Sequence, residues 1–323
     1  MNRILSVVAA CLALTTPAAA QDWPAKPLTM VVGFPAGGSD DILARMLAPR
    51  LAESLGQPVN VENIAGEAGM AGAARVAKAA PDGYEFILGT SATHAVSQAL
   101  YKHPPYNALT DFTPVALIAE QPFVLIARKS LPGNRLEDLI VYAKANPRKV
   151  QYASAGEGSS THLVCLLFNA AAGIKAGHIA YNGGAPAMRD LVAGRIDYFC
   201  PVVTIAIAPV AKQEVKALAI LSRNRVPLLP DLPSAHEQGV ADFTAWTWFA
   251  LFLPKGAQPA VTARLHEAAV GAVAAPFMQS RLKQIGAEVP SQERRSPEYL
   301  QNFVQSEISK WTIALKDAEQ KPY

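Results

Sequence analysis

The sequence predicts an α/β protein of two domains, on three observations. Apolar runs end in glycine and are followed by residues at helical spacing. That strand–loop–helix order occurs as two separate series. The 323 residues are 50% hydrophobic and 17% charged, which excludes a disordered chain and, at ~150 residues per domain, supplies apolar material for two cores.

The first series opens with Leu28 to Gly33, a continuous apolar run that reads as a strand buried on both faces. The loop Phe34 to Asp40 follows. Ile42, Leu43, Met46, Leu47, Leu51 and Leu55 then recur at helical spacing, with Pro49 expected to kink or split the helix. Val59 to Glu62 is a second strand. Gly66, Gly69 and Gly72 precede a helix bearing Val76, Ala77 and Ala80, and Glu85 to Thr90 is a third strand. Short loops in a βαβαβ unit imply parallel strands with right-handed crossovers.

The second series starts at Phe123 to Ala127. A helix marked by Leu136, Leu139, Ile140 and Ala143 and a strand at Val150 to Ala153 come next. The loop Ser154 to Ser159 leads to a helix face of Leu163, Leu166, Leu167 and Ala170. Further elements are a short strand to Tyr181, a helix from Pro186 to Ala193, and strands at Asp197 to Cys200 and Val215 to Ser222. Arg223 to Val240, rich in Pro, Arg and Leu, reads as an extended crossing segment. Phe243 to Leu253 is an aromatic strand, and helices near 261–275 and 297–316 close the chain.

The first twenty residues read as an export signal. Met1-Asn2-Arg3 is basic, Ile4 to Leu14 is apolar, and Ala18-Ala19-Ala20 is a small-residue cleavage site near Ala20. A transmembrane anchor is disfavoured by the short run. A lipoprotein signal at Cys11 is disfavoured because the apolar region continues beyond it. The expected product is periplasmic. Beyond the signal no apolar run is long enough to span a membrane. A balance of 29 basic to 26 acidic residues gives no footprint for nucleic acid. Cys165 and Cys200 are either a disulfide or buried free thiols. The six histidines lie in no metal-ligand spacing, and neither a phosphate-loop motif nor H-E-x-x-H is present. No cofactor or metal is expected.

Several stretches together resemble one family. They are Val32-Gly33-Phe34-Pro35-Ala36-Gly37-Gly38, Val76 to Tyr84, Asp111 to Val115, Tyr152 to Gly156, Tyr181 to Ala187 and Leu228 to Pro233. In this order they resemble the periplasmic substrate-binding proteins of the tripartite tricarboxylate transporters, the Bug family. The resemblance implies the type II periplasmic binding-protein fold: two α/β domains with mixed, mostly parallel sheets joined by two crossing strands. It places domain one at 21–122 plus 243–323 and domain two at 123–242. It implies a monomeric, non-enzymatic receptor that holds a small carboxylate between the domains and serves membrane permease subunits.

The loops themselves suit an anion. Helix N-termini offer orphan N–H groups and a positive dipole end, and Gly37-Gly38 permits close backbone approach. The family's contacts, carried onto this chain, are Phe34, Ala36, Gly37 and Gly38, then Thr90, Ser91 and Ala92, from domain one. From domain two they are Gly156, Ser159 and Thr161, with Gly183, Gly184 and Ala185 beside them; Asp197 could accept from a ligand donor. Each has a plainer reading: Gly37-Gly38 as a tight turn, Ser159 and Thr161 as helix caps, Gly183-Gly184 as a helix start, Asp197 as a structural hydrogen-bond partner. Family members commonly carry an aspartate four residues after the one matching Asp197, where this chain has Pro201, so a ligand relying on that carboxylate, especially an amino-bearing one, is in doubt. Two other functions compete. An exported serine hydrolase would use Ser159, His162 and Asp197, but no G-x-S-x-G surrounds Ser159. A transcription regulator's effector domain would share the architecture, but the export signal and the absence of a helix-turn-helix segment oppose it.

Overall fold

The structure, a computed structural model, describes residues 23–317 apart from 148 and 242. The expected export signal and Cys11 lie outside the described residues.

The first series forms β1 (Leu28–Val32), α1 (Ser39–Leu55), β2 (Val59–Asn63), α2 (Met70–Ala77) and β3 (Glu85–Thr90). Strand β1 pairs in parallel with β2 and with β3. Its apolar run is continuous because both faces are covered. Leu28, Met30 and Val32 pack with Leu43, Leu47 and Leu51 of α1, while Val31 joins Val76 of α2. Helix α1 is not split at Pro49. An interior proline costs about 3 kcal/mol, but each fully buried leucine contributes about 1.5–3 kcal/mol. Leu43, Leu47, Leu51 and Leu55 are all buried, so packing outweighs the missing N–H. The glycines at 66, 69 and 72 make a packing turn: a Cβ on Gly33 would lie 2.6 Å from the Gly69 carbonyl oxygen, and one on Gly72 would lie 3.1 Å from Gly33 Cα.

After β3 a wide helical turn over 92–96 leads into α3 (Ser97–Leu100). Strand β4 (Phe112–Pro122) then runs straight into β5 (Val124–Arg128) across the single residue Phe123. The second series continues with α4 (Leu136–Ala145), β6 (Gln151–Ser154), α5 (Ser160–Ala172), β7 (Gly177–Ala180), α6 (Gly184–Val192), β8 (Tyr198–Phe199), α7 (Val203–Ala211) and β9 (Val215–Ile220). The chain returns as β10 (Trp246–Pro254), followed by α8 (Pro259–Ala274), α9 (Pro276–Gln284) and α10 (Pro297–Asp317).

Two five-stranded sheets result, in the orders β2-β1-β3-β10-β4 and β7-β6-β8-β5-β9. The two orders are equivalent. Each has a parallel trio, then one antiparallel strand, then an edge strand. The antiparallel strand is the one that has just crossed: β5 on leaving the first sheet, β10 on returning to it. Helix α8 packs on α1 and β4, and α10 on β4 and α3, so the C-terminal helices belong with the first sheet. Each sheet with its helices is one domain.

The crossing point is narrow. Phe123 N donates to Ala245 O, Leu221 N donates to Phe123 O, and Ala245 N donates to Leu221 O. The expectation that Arg223 to Val240 crosses is corrected. That segment folds back on the second sheet, where Ile220 N donates to Pro233 O and Ala235 N donates to Ile220 O. Pro227, Pro230 and Pro233 favour turns over a strand. Cys165 of α5 and Cys200 after β8 form a disulfide, both fully buried. Trp248 is core, its indole N–H donating to Glu307 Oε2 at 3.1 Å.

Candidate functional site

In open α/β sheets ligands lie beyond the C-terminal ends of the parallel strands. Here those ends face each other. The loop after β1 and the turn after β3 meet the loops after β6 and β7, and a cavity of about 60 Å³ lies between them. Phe123, Val202, Thr247 and Phe249, from the crossing region, also line it. Phe249 arrives there by register, since β10 pairs it with Thr90 at the end of β3.

The N-termini of α1, α5 and α6 converge on the cavity. Their N-cap residues are Gly38, Ser159 and Gly183. Gly38 and Gly183 have no side chain to cap with, so apart from the Asp40 N–H, which its own carboxylate takes, first-turn N–H groups of α1 and α6 are left for another acceptor. Helix α5 is capped by Ser159, whose Oγ accepts from His162 N at 3.3 Å.

The domains already touch. Ser91 Oγ lies 3.0 Å from Ser160 Oγ in the second domain and 2.8 Å from Thr247 Oγ1 in its own. A Cβ on Gly183 would come within 3.1 Å of Pro35, and one on Gly37 within 3.9 Å of the Ala185 methyl. The arrangement is a closed one.

Of the residues expected to form the site, Phe34, Ala36, Gly38, Thr90, Ala92, Ser159, Thr161, Gly183, Gly184 and Ala185 line the cavity. Gly37 sits beside it at φ +85°, its N–H donating to Asp41 Oδ2. Ser91 is fully buried and ties the domains together. Gly156 lines a neighbouring recess of about 590 Å³. Asp197 stands apart. Its oxygens accept from Arg128 Nε at 2.9 Å and Gln151 N at 2.8 Å, at the N-terminal edge of the second sheet. The hydrogen-bond reading of Asp197 is the one its geometry supports.

The two hydroxyls have internal partners. Ser159 Oγ donates to Gly156 O at 2.7 Å, Thr161 Oγ1 accepts from Ala155 N at 2.8 Å, and the two oxygens lie 3.0 Å apart. With the Ser159 proton on Gly156, the Thr161 proton goes to Ser159. Backbone N–H groups are therefore the free donors of this wall. The same geometry dismantles the hydrolase triad. His162 Nδ1 accepts from Gly158 N, and its ring stacks on His178 with centroids 3.9 Å apart. Burial lowers the His162 pKa to about 3, with the His178 charge adding to the effect, so a neutral imidazole braces the loop.

Sequence reasoning did not single out Asp40, Phe123, Val202, Ile205, Thr247 or Phe249 as lining residues. The last five come from crossing strands or from α7, so only topology brings them here. Asp40 was legible by position alone, two residues past Gly38. Burial pushes its carboxyl up to about 6, against opposing hydrogen bonds from its own backbone and Ser39. Its neighbour Asp41 behaves oppositely. Burial would raise it, but Arg45, the Gly37 N–H and Asn63 hold it below the usual range. Among the described residues no helix is long and apolar enough to cross a membrane, and no cluster of His, Cys, Asp and Glu is arranged to hold a metal.

Comparison with known proteins agrees with this fold. The chain is 34% identical over 325 residues to protein BugT of Bordetella pertussis, covering 99% of both. It is similar in structure to MatC from Rhodopseudomonas palustris with bound malate, at 37% identity and a TM-score of 0.87, covering 90% of this chain and 99% of that one. It is also similar to R. palustris Rpa4515 with adipate, at 35% identity and a TM-score of 0.90, covering 94% and 100%. A family model described as tripartite tricarboxylate transporter family receptor matches residues 43–319. The facing strand ends, the equivalent sheets and this match over most of the chain place the protein in the tripartite tricarboxylate transporter receptor family.

Proposed function

We propose that the protein is a periplasmic receptor that captures a small carboxylate between its domains and presents the closed form to membrane permease subunits. The observation that carries the reading is the convergence of the N-termini of α1, α5 and α6 on one interdomain cavity, with two of the three lacking a side-chain cap. Each N-terminus contributes about 0.3–1 kcal/mol to an anion when exposed and up to ~2 kcal/mol when partly buried. A few charge-assisted hydrogen bonds at ~1.5–3 kcal/mol each bring the total to micromolar affinity.

The binding set on this reading is Phe34, Ala36, Gly38, Thr90, Ala92, Ser159, Thr161, Gly183, Gly184 and Ala185, with Gly37 and Ser91 holding the geometry. Asp197 is left out because its oxygens are engaged elsewhere. The domains comprise 21–122 plus 243–323 and 123–242, hinged where Phe123, Leu221 and Ala245 exchange hydrogen bonds. A ligand that touches both domains only when they meet converts occupancy into closure. The relatives that hold malate and adipate support the ligand class. Calorimetric titration with di-, tri- and aromatic carboxylates and amino acids tests it. Micromolar binding of at least one is expected; heat from none removes the reading.

A further inference from the structure

The cavity has one ionisable side chain among its lining residues, and it is an acid. Asp40 stands in the first turn of α1, where its Oδ2 accepts from Ser39 Oγ at 3.2 Å. No basic side chain among the described residues pairs with it. The contrast with Asp41 is instructive, since that carboxylate has Arg45 and the Gly37 N–H. Asp41 takes the Gly37 N–H, whereas Asp40 is held by hydrogen bonds from its own backbone and from Ser39. A half-buried carboxylate on the cavity wall with no basic side chain beside it is placed to receive a cationic group that arrives with the ligand.

The charge is also arranged unevenly across the cleft. Helix α1 carries two acids in its first turn, Asp40 and Asp41, while α5 and α6 carry none in theirs. The positive ends of the second-domain helices are left for an anion. At α1 the positive end is partly offset by its own acids, so a group bearing a cation beside its carboxylate suits that wall best.

We propose that Asp40 selects ligands carrying a protonated amine beside the carboxylate, with the ammonium group on Asp40 and the carboxylate on the first-turn N–H groups of α5 and α6. This rests on the receptor reading above and narrows its ligand to an amino acid or a similar zwitterion. The raised carboxyl, at about 6, follows from the same desolvation, with Asp41 the nearest charged group acting on it. An ammonium ion beside Asp40 keeps it ionised, whereas a second carboxylate there forces it to take up a proton.

The test is calorimetry on the full mature chain with matched pairs: aspartate and succinate, 2-aminoadipate and adipate, alanine and propionate, phenylalanine and 3-phenylpropionate. For the pair that fits, the amino member is expected to bind at least tenfold more tightly at pH 8. That advantage should shrink at pH 5, where Asp40 is protonated. Asp40→Asn, checked by thermal melting for a native fold, is expected to cut the advantage by tenfold or more and to improve binding of the plain acid. Plain acids binding as tightly as their amino partners in the unaltered protein at pH 8 overturns the assignment and leaves the receptor reading intact. So does an unchanged ratio in Asp40→Asn. The pH series on the unaltered protein decides the matter even if the variant fails to fold. Heat from no member of any pair removes both readings together.

Discussion

Replacing Gly38 by valine separates a ligand-contacting loop from a merely structural one. Gly38 adopts φ −81° and ψ 172°, extended backbone open to any L residue. A Cβ built there meets Pro35 O at 3.6 Å and Asp40 Oδ2 at 3.9 Å, both ordinary contacts. The fold therefore tolerates the change, with an apolar N-cap in place of glycine costing about 1 kcal/mol. Against a total stability of about 5–15 kcal/mol that leaves the protein folded. The melting temperature should fall by about 2–4 °C. Binding should suffer far more. The added methyls occupy a cavity of about 60 Å³ beside the uncapped turn of α1. A charge-assisted hydrogen bond to the ligand is worth about 1.5–3 kcal/mol, so blocking two of them weakens affinity by roughly 100-fold or more. Calorimetry and thermal melting on the same preparation read both effects. Unchanged affinity, or unfolding in place of impaired binding, refutes the reasoning. Gly37→Val is the poorer probe. At φ +85° a branched side chain adds backbone strain of about 1–2 kcal/mol, and Gly37 stands beside the cavity without lining it.

Three further outcomes are expected. Ser91→Ala removes the hydroxyl that bridges the domains to Ser160; at about 0.5–1.5 kcal/mol for a net hydrogen bond, affinity should drop by roughly two- to tenfold while small-angle scattering shows a more open ligand-free form. An unaltered scattering profile with unaltered affinity contradicts this. Removing the disulfide as the Cys165→Ser/Cys200→Ser pair opens a 35-residue separation, worth about 3–4 kcal/mol in the chain-entropy account, so melting should fall by roughly 7–14 °C; no shift denies it a stabilising role. His94 and His162 are buried neutral with pKa values lowered to about 3, chiefly by desolvation. Because the unfolded chain takes up those protons near pH ~6.5, stability is complete above that and is lost as pH falls toward about 3, by ~1.4 kcal/mol per pH unit for each histidine. Melting between pH 7.5 and 4.5 checks the slope, and a flat profile in that range refutes the burial argument.

Strands and helices were legible wherever local pattern and tertiary role coincide. Leu28 to Gly33 announces a strand covered on both faces, and that is what α1 and α2 provide. Strand β4 is not legible in the sequence because Pro114, Glu120, Gln121 and Pro122 interrupt its apolar pattern. It tolerates Pro114 as an edge strand, and its partner β10 comes from a distant part of the chain with two register shifts. The segment 223–240 is ambiguous for the complementary reason: its prolines suit either an extended crossing or a chain of turns, and only packing against Ile220 decides between them.

By itself the sequence determined the two α/β series, the glycine-rich turns at residues 34–38 and 154–159, and the family to which those turns belong. These are local matters of residue type and spacing, which a short window of chain already holds. The tertiary structure alone decided that Asp197 faces away while Asp40 faces in, that the Ser159 and Thr161 protons are engaged, and that Phe249 and Thr247 complete the cavity from a returning strand. Direction, burial and the placing of protons depend on neighbours far along the chain, and no local pattern encodes which of two acids will face the interdomain cavity.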